Sequence, residues 1–148
     1  MVPVLRHTRQ TRITANLVGM MIFVQVILGG GSFVLGWDVI YHLVWGTLTF
    51  IVLIAATVLA RRDFGVDSTL FKVGLAAIVD FVIQGILGLF SFASGVAIVV
   101  HLTNAFLLAV IVTYLISFAD SADKASTPLT SQTQTTPPGN LRGQATGP

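Results

Sequence analysis

Four long apolar stretches, separated by short polar ones, make up most of this chain. Ala15 to Leu35 is apolar apart from Asn16, Gln25 and Ser32, and Val39 to Ala60 stops at Arg61-Arg62-Asp63. Val73 to Phe92 is interrupted by Asp80, Gln84 and Ser91, and Val96 to Ala119 stops at Asp120. At about 1.5 Å per residue each stretch is long enough to cross a hydrocarbon core of roughly 30 Å as a helix. The pattern predicts membrane spans over 15–35, 39–60, 73–92 and 96–119. Gly36-Trp37-Asp38 and Ala93-Ser94-Gly95 form tight turns, and a water-exposed connection runs from Arg61 to Lys72. A basic start before an apolar run is also how a signal peptide reads. This run is longer than a usual signal core and has no persuasive small-residue cleavage site.

The first and third spans carry the same text. Gln25-Val26-Ile27-Leu28-Gly29 leads to Ser32-Phe33, Gly36 and His42-Leu43, and Gln84-Gly85-Ile86-Leu87-Gly88 leads to Ser91-Phe92, Gly95 and His101-Leu102. Every match is offset by 59 residues, and nine of the nineteen positions from Gln25 to Leu43 are identical without a gap. The fold expected is an all-α membrane protein, a four-transmembrane-helix bundle built from two directly repeated helical hairpins.

Composition agrees with the periodic pattern. The 148 residues are 54% hydrophobic and 9% charged, with a mean hydropathy of +0.87; soluble domains carry about 25% charged residues, so the class is a membrane protein. The absence of cysteine excludes disulfides, thiolate metal sites and cysteine nucleophiles. The net charge of +2 does not point to nucleic acid, because the cations follow topology. Arg6, Arg9, Arg12, Arg61, Arg62, Lys72, Lys124 and Arg142 all fall on one side of four spans. The positive-inside rule makes that side cytoplasmic. The expectation is a multi-pass cell-membrane protein with residues 1–14 as a cytoplasmic basic N-terminus. The Ser, Thr, Gln, Pro and Gly-rich segment 120–148 reads as a disordered cytoplasmic tail.

The repeat places His42 and His101 at equivalent points on the second and fourth spans, both near the outer end. An imidazole inside a membrane helix needs a partner. A lone histidine finds one in a neighbouring helix or in interfacial water, whereas a symmetric pair aimed at one axis suits a shared ligand. Zinc wants three or four protein ligands, and here no thiolate exists and the nearest carboxylate is Asp38. Haem iron is satisfied by two imidazoles on opposite faces. Gly29 and Gly88 recur with the repeat and are candidates to let a macrocycle or a backbone approach closely; the alternative is helix packing. Gln25 and Gln84 read as structural amides, bonded to each other or to a helix carbonyl. Asp80, opposite Met21 in the repeat, is either a proton-handling group or a structural hydrogen-bonding one. Asp38, one turn before His42, reads as a helix N-cap, with a catalytic or proton-accepting role as the alternative. Trp37, Tyr41 and Trp45 surround the same region, as interfacial anchors or as pocket walls.

Gln84-Gly85-Ile86-Leu87-Gly88 followed by His101-Leu102-Thr103-Asn104-Ala105, with Gln25 to Gly29 and His42 as a second copy, resembles the heme A synthases of cytochrome oxidase assembly. That family pairs a Gln-x-x-Leu-Gly helix with a histidine-led helix, and its members usually have eight spans in two four-helix halves. The likeness covers Ala15 to Ala119 and makes this chain a half-size member. It implies His42 and His101 as axial ligands of a b-type haem, heme O as substrate, and oxidation of one heme O methyl to the formyl of heme A. It also implies membrane lipid as the surroundings and a link to heme O synthase or cytochrome oxidase assembly. Because the larger members hold two haem sites, association of two copies, a homodimer, is expected. Val39 and Leu43 stand where larger members carry Glu and Arg, and the outer-loop cysteine pair is missing. Asp38 is the nearest substitute for that Glu. The alternatives are a bis-histidine b-type haem protein for electron transfer, and a structural membrane protein without cofactor.

Overall fold

The computed structural model describes residues 4–126, which fold into four α-helices: α1 (Val4–Val34), α2 (Val39–Phe64), α3 (Thr69–Phe90) and α4 (Gly95–Ser126). No strand occurs among the described residues. All four helices are long and apolar enough to cross a membrane. Segment 127–148, the greater part of the expected tail, lies outside the described residues.

Local chemistry accounts for the helix ends. Gly36, at φ +69°, ends α1, and the Trp37 N–H reaches back to the Gly31 carbonyl at 3.2 Å, a bond that spans six residues and needs a left-handed residue between its ends. Asp38 then caps α2, its carboxylate accepting from the Ile40 N–H at 3.0 Å. Gly65, at φ +83°, closes α2. Ser68 caps α3 by accepting from the Phe71 N–H, and Ser94 accepts from the Ala97 N–H at the start of α4.

Each helix packs on two neighbours, in the cycle α1, α2, α3, α4 and back to α1, and neither diagonal pair brings its backbones together. The cross-section is therefore a square with α2 opposite α4. Two directly repeated hairpins give this arrangement when a two-fold axis runs along the bundle.

The packed core fills only the half of the bundle nearest the termini. Val18 and Ile22 of α1, Leu53, Ala56 and Ala60 of α2, Leu70 and Ala77 of α3, and Leu108, Val112, Leu115 and Ala119 of α4 are buried there. Small residues let the backbones approach, which is how membrane helices gain contact without a solvent-driven hydrophobic term. Gly74 sits against Thr57 so closely that a Cβ would lie 2.7 Å from its Oγ1. Large apolar side chains such as Phe23, Leu75, Phe106 and Tyr114 point outward, as a lipid-facing surface requires.

Hydropathy ends the last span at Asp120, but the helix does not stop there. Helix α4 continues to Ser126, and α1 starts eleven residues before Ala15, because the two polar ends bind each other. Arg12 pairs with Asp123 at 2.9 Å and reaches Asp120 at 3.9 Å, while the Thr8 hydroxyl donates to Asp123 at 3.3 Å. Residues 120–126, expected to be part of a disordered tail, are thus an ordered helical end. Thr11 donates to Asp63 at 2.6 Å and ties α1 to α2 at the same level. The cations from Arg9 to Lys124 all lie at this end of the bundle, and the turns at 35–38 and 91–94 lie at the other.

Candidate ligand site between the histidines

The half of the bundle nearest the turns is not filled. A cavity of about 500 Å³ opens there between all four helices, within the roughly 300–1,000 Å³ range of small-molecule sites. Its floor is Ile22, Phe50, Phe81 and Leu108, with the Phe50 and Phe81 rings 5.3 Å apart. His42 and His101 border it from the diagonal helices α2 and α4, and Gln25 and Gln84 from α1 and α3.

Both imidazoles are held the same way. His42 Nδ1 lies 3.1 Å from the main-chain carbonyl of Gln25, and His101 Nδ1 lies 3.2 Å from that of Gln84. A carbonyl can only accept, so Nδ1 carries the proton in each ring and Nε2 carries the lone pair. The side-chain amide of the same glutamine then donates to Nε2, at 3.1 Å in the first hairpin and 3.4 Å in the second. Each glutamine thus grips the histidine of its own hairpin from both sides. The expected Gln25–Gln84 contact or simple carbonyl bond gives way to this arrangement, because Gln and His lie on adjacent helices at one level.

Gly29 and Gly88 serve those rings. A Cβ on Gly29 would lie 2.9 Å from His42 Cε1 and 3.0 Å from Nδ1; a Cβ on Gly88 would lie 3.2 Å from His101 Cε1. Each glycine is one turn past its glutamine, so the imidazole rests on bare backbone beside the carbonyl it binds. Gly30 and Gly85 also line the cavity and have nothing within 4 Å of an added Cβ, so they leave open space.

The remaining candidates divide. Trp37 lies on Gly31 and lines the cavity, whereas Tyr41 is exposed and Trp45 donates its indole N–H to the Met21 carbonyl at 2.9 Å. Asp38 is exposed, spends its carboxylate on the cap of α2, and is not among the residues lining the cavity. Ser32 and Ser91 line the cavity, but both hydroxyls donate to helix carbonyls. No Lys or Arg borders the cavity among the described residues.

The two hairpins differ one turn deeper. Asn104, which stands where the first repeat has Trp45, donates to Gln84 Oε1 at 3.0 Å and reaches Asp80 Oδ2 at 3.5 Å. Asp80 is buried beside it. In the first hairpin Met21 replaces Asp80, and Gln25 Oε1 is buried without a hydrogen-bond partner. Asn104 was legible only as a letter in the motif; pairing it with Trp45 across the 59-residue offset is the signal that marks it as a site of asymmetry.

The fold and site define a four-helix membrane-type bundle with a two-histidine cavity at one end. Comparison with family models, curated proteins and solved structures gives no match for this chain.

Proposed function

We propose that this protein binds a b-type haem between His42 and His101 and acts as a compact, heme A synthase-like catalyst of heme O methyl oxidation, with water supplying the oxygen and an external acceptor taking the electrons. The observation that carries the haem reading is the pair of carbonyl-anchored imidazoles, each with its Nε2 lone pair beside one cavity, on opposite helices. Two such nitrogens are the axial donor set of bis-histidine haem, and a carbonyl on Nδ1 fixes the ring and raises its basicity as a ligand. The residues present fit the group: apolar walls, open space at Gly30 and Gly85, and a size suited to a small molecule. With no Lys or Arg among the described residues that border the cavity, haem propionates would be placed toward its open end.

Bound haem would supply a redox-active iron. His42 and His101 would hold the group, with Nδ1–H of each ring fixed on the glutamine carbonyl. Binding through Nε2 would require the Gln25 and Gln84 amides to give up their contacts with the rings, while Phe50 and Phe81 close the floor of the cavity. The methyl oxidation rests on the resemblance of 25–43 and 84–105 to heme A synthases. A second reading, an electron-transfer b-type cytochrome, is favoured by Asp38, whose carboxylate is turned to the helix cap and away from the cavity lining.

Two experiments separate the readings. Purified protein should show a low-spin haem band that His42→Ala and His101→Ala each abolish; a band unaffected by both sinks the ligand assignment. Co-expression in cells that make heme O but no heme A, followed by analysis of extracted haems, should yield heme A. Its absence leaves the cytochrome reading. The same proposal has cytoplasmic termini in the cell membrane and a homodimer that supplies two haem sites; a strictly monomeric protein holding both haems sinks the dimer.

A further inference from the structure

The cavity does not meet the lipid-facing surface in the same way on its two sides. The repeat makes the α2–α3 seam equivalent to the seam between α4 and α1, so residues of one have counterparts 59 positions away in the other. Phe50 and Phe81 meet at the floor. Counted from them towards the turns at 1.5 Å per residue, Thr47 on α2 and Gly85 on α3 stand about 5 and 6 Å above it. Thr47, Val82 and Gly85 all line the cavity and are all exposed, and an added Cβ at Gly85 would meet nothing within 4 Å.

Their counterparts at the other seam are Phe106, Phe23 and Val26, larger at every one of the three positions. Phe23 and Phe106 point outward and do not line the cavity at all. The order reverses one turn nearer the turns, where Leu89 of α3 stands against Gly30 of α1. The α2–α3 opening is thus bounded, with the two Phe rings below it and Leu89 above. Thr47 lies eight residues into α2, about 12 Å from its outer end, which is the depth of hydrocarbon in a bilayer. The opening is also apolar. Leu43, Val82 and Leu89 rim it, the Thr47 hydroxyl is spent on the Leu43 carbonyl at 3.0 Å, and no charged residue lines the cavity among the described residues. A polar group passing through it would lose water without gaining a partner, whereas an alkyl chain would exchange one apolar environment for another.

We propose that the opening between Thr47 and Gly85 is the passage through which the hydrocarbon chain of a prenylated haem leaves the cavity to lie in lipid along the α2–α3 seam. The inference rests on the haem reading above and deepens it. Heme O differs from iron protoporphyrin IX by a hydroxyethylfarnesyl chain in place of one vinyl group, and the cavity, at about 500 Å³, gains a place for that chain outside its own volume.

The test titrates the full-length protein in detergent with heme O and, separately, with iron protoporphyrin IX, following haem absorbance. Gly85→Val and Thr47→Phe give the α2–α3 seam the side chains that the other seam carries at Val26 and Phe106. Each should weaken heme O binding by about tenfold relative to wild type, the equivalent of one to two buried methylene groups, and leave iron protoporphyrin IX within about twofold. Partition of the chain into detergent is common to variant and wild type and cancels in their ratio. Retained iron protoporphyrin IX binding reports an intact cavity, and a heme O-selective loss in either variant supports the passage. Equal effects on the two haems in both variants, or a wild type that takes iron protoporphyrin IX but not heme O, overturn the inference alone. A wild type that binds neither haem overturns it together with the haem reading.

Discussion

Gln84 holds His101 at both ring nitrogens: its main-chain carbonyl takes Nδ1 at 3.2 Å and its side-chain amide meets Nε2 at 3.4 Å. Gln25 holds His42 in the same way, yet the two glutamines differ energetically because only Gln84 has both ends of its amide satisfied. Gln84→Leu removes the 3.0 Å bond from Asn104 and leaves that amide with the long contact to Asp80. It should cost about 1–2 kcal/mol. Gln25→Leu likewise gives up its amide bond to the histidine Nε2 but also removes a buried acceptor that has no partner, so it should cost about 1 kcal/mol less than Gln84→Leu. Unfolding midpoints of the ligand-free variants in detergent check the difference, and equal losses would show that the Asn104 bond carries no stability.

The glycines under the rings give a graded prediction. An alanine methyl at Gly29 would press on His42 at 2.9 Å and 3.0 Å, against 3.2 Å and 3.6 Å for Gly88 and His101. Moving a ring that is tied to a helix carbonyl strains that bond as well. Gly29→Ala should therefore destabilise by about 1–3 kcal/mol, with Gly88→Ala near the lower limit. On the proposed haem ligation, affinity for haem should follow the same order, because the methyl displaces the ring. A Gly29→Ala protein as stable as wild type would mean that the ring can slide without loss.

Much of this architecture was legible in the sequence. Hydropathy located all four helices, and the repeat located both histidines at one level on diagonal helices, because a direct two-fold repeat leaves no other placement. Side-chain partnerships were not legible. The Gln25–His42 contact depends on which adjacent helix faces which, and a one-dimensional pattern leaves that open. Hydropathy also ended α4 at Asp120, because a window average treats Asp120 and Asp123 as a water signal; the α1 side chains Thr8 and Arg12 that make them part of a helix are over 100 residues away in sequence.

Topology has a direct test because the chain contains no cysteine. Ala93→Cys, in the exposed turn before α4, and Val66→Cys, in the exposed connection after α2, each introduce a single thiol at opposite ends of the bundle. A membrane-impermeant maleimide applied to intact cells should label Ala93→Cys at once and Val66→Cys only after permeabilisation. The reverse order would place the termini outside and overturn the orientation drawn from the cations.

At the end of the bundle nearest the termini, Thr11 should matter more than Arg12, although Arg12 makes the formal ion pairs. The Asp63 side chain is only 3% exposed and takes the Thr11 hydroxyl at 2.6 Å, with its other oxygen on Arg62 at 3.0 Å. Thr11→Val keeps the shape and leaves a buried carboxylate oxygen short of a donor, which should cost about 1–3 kcal/mol. Arg12, in contrast, is 36% exposed and meets Asp120, 41% exposed, and the more sheltered Asp123, 17% exposed. Solvent screening reduces such pairs to about 0–1 kcal/mol, so Arg12→Ala should be mild and its effect should fade in high salt. Unfolding midpoints in low and high salt separate the two. If Arg12→Ala proves the costlier change, the α1–α4 ion pairs, and not the α1–α2 hydrogen bond, fasten this end.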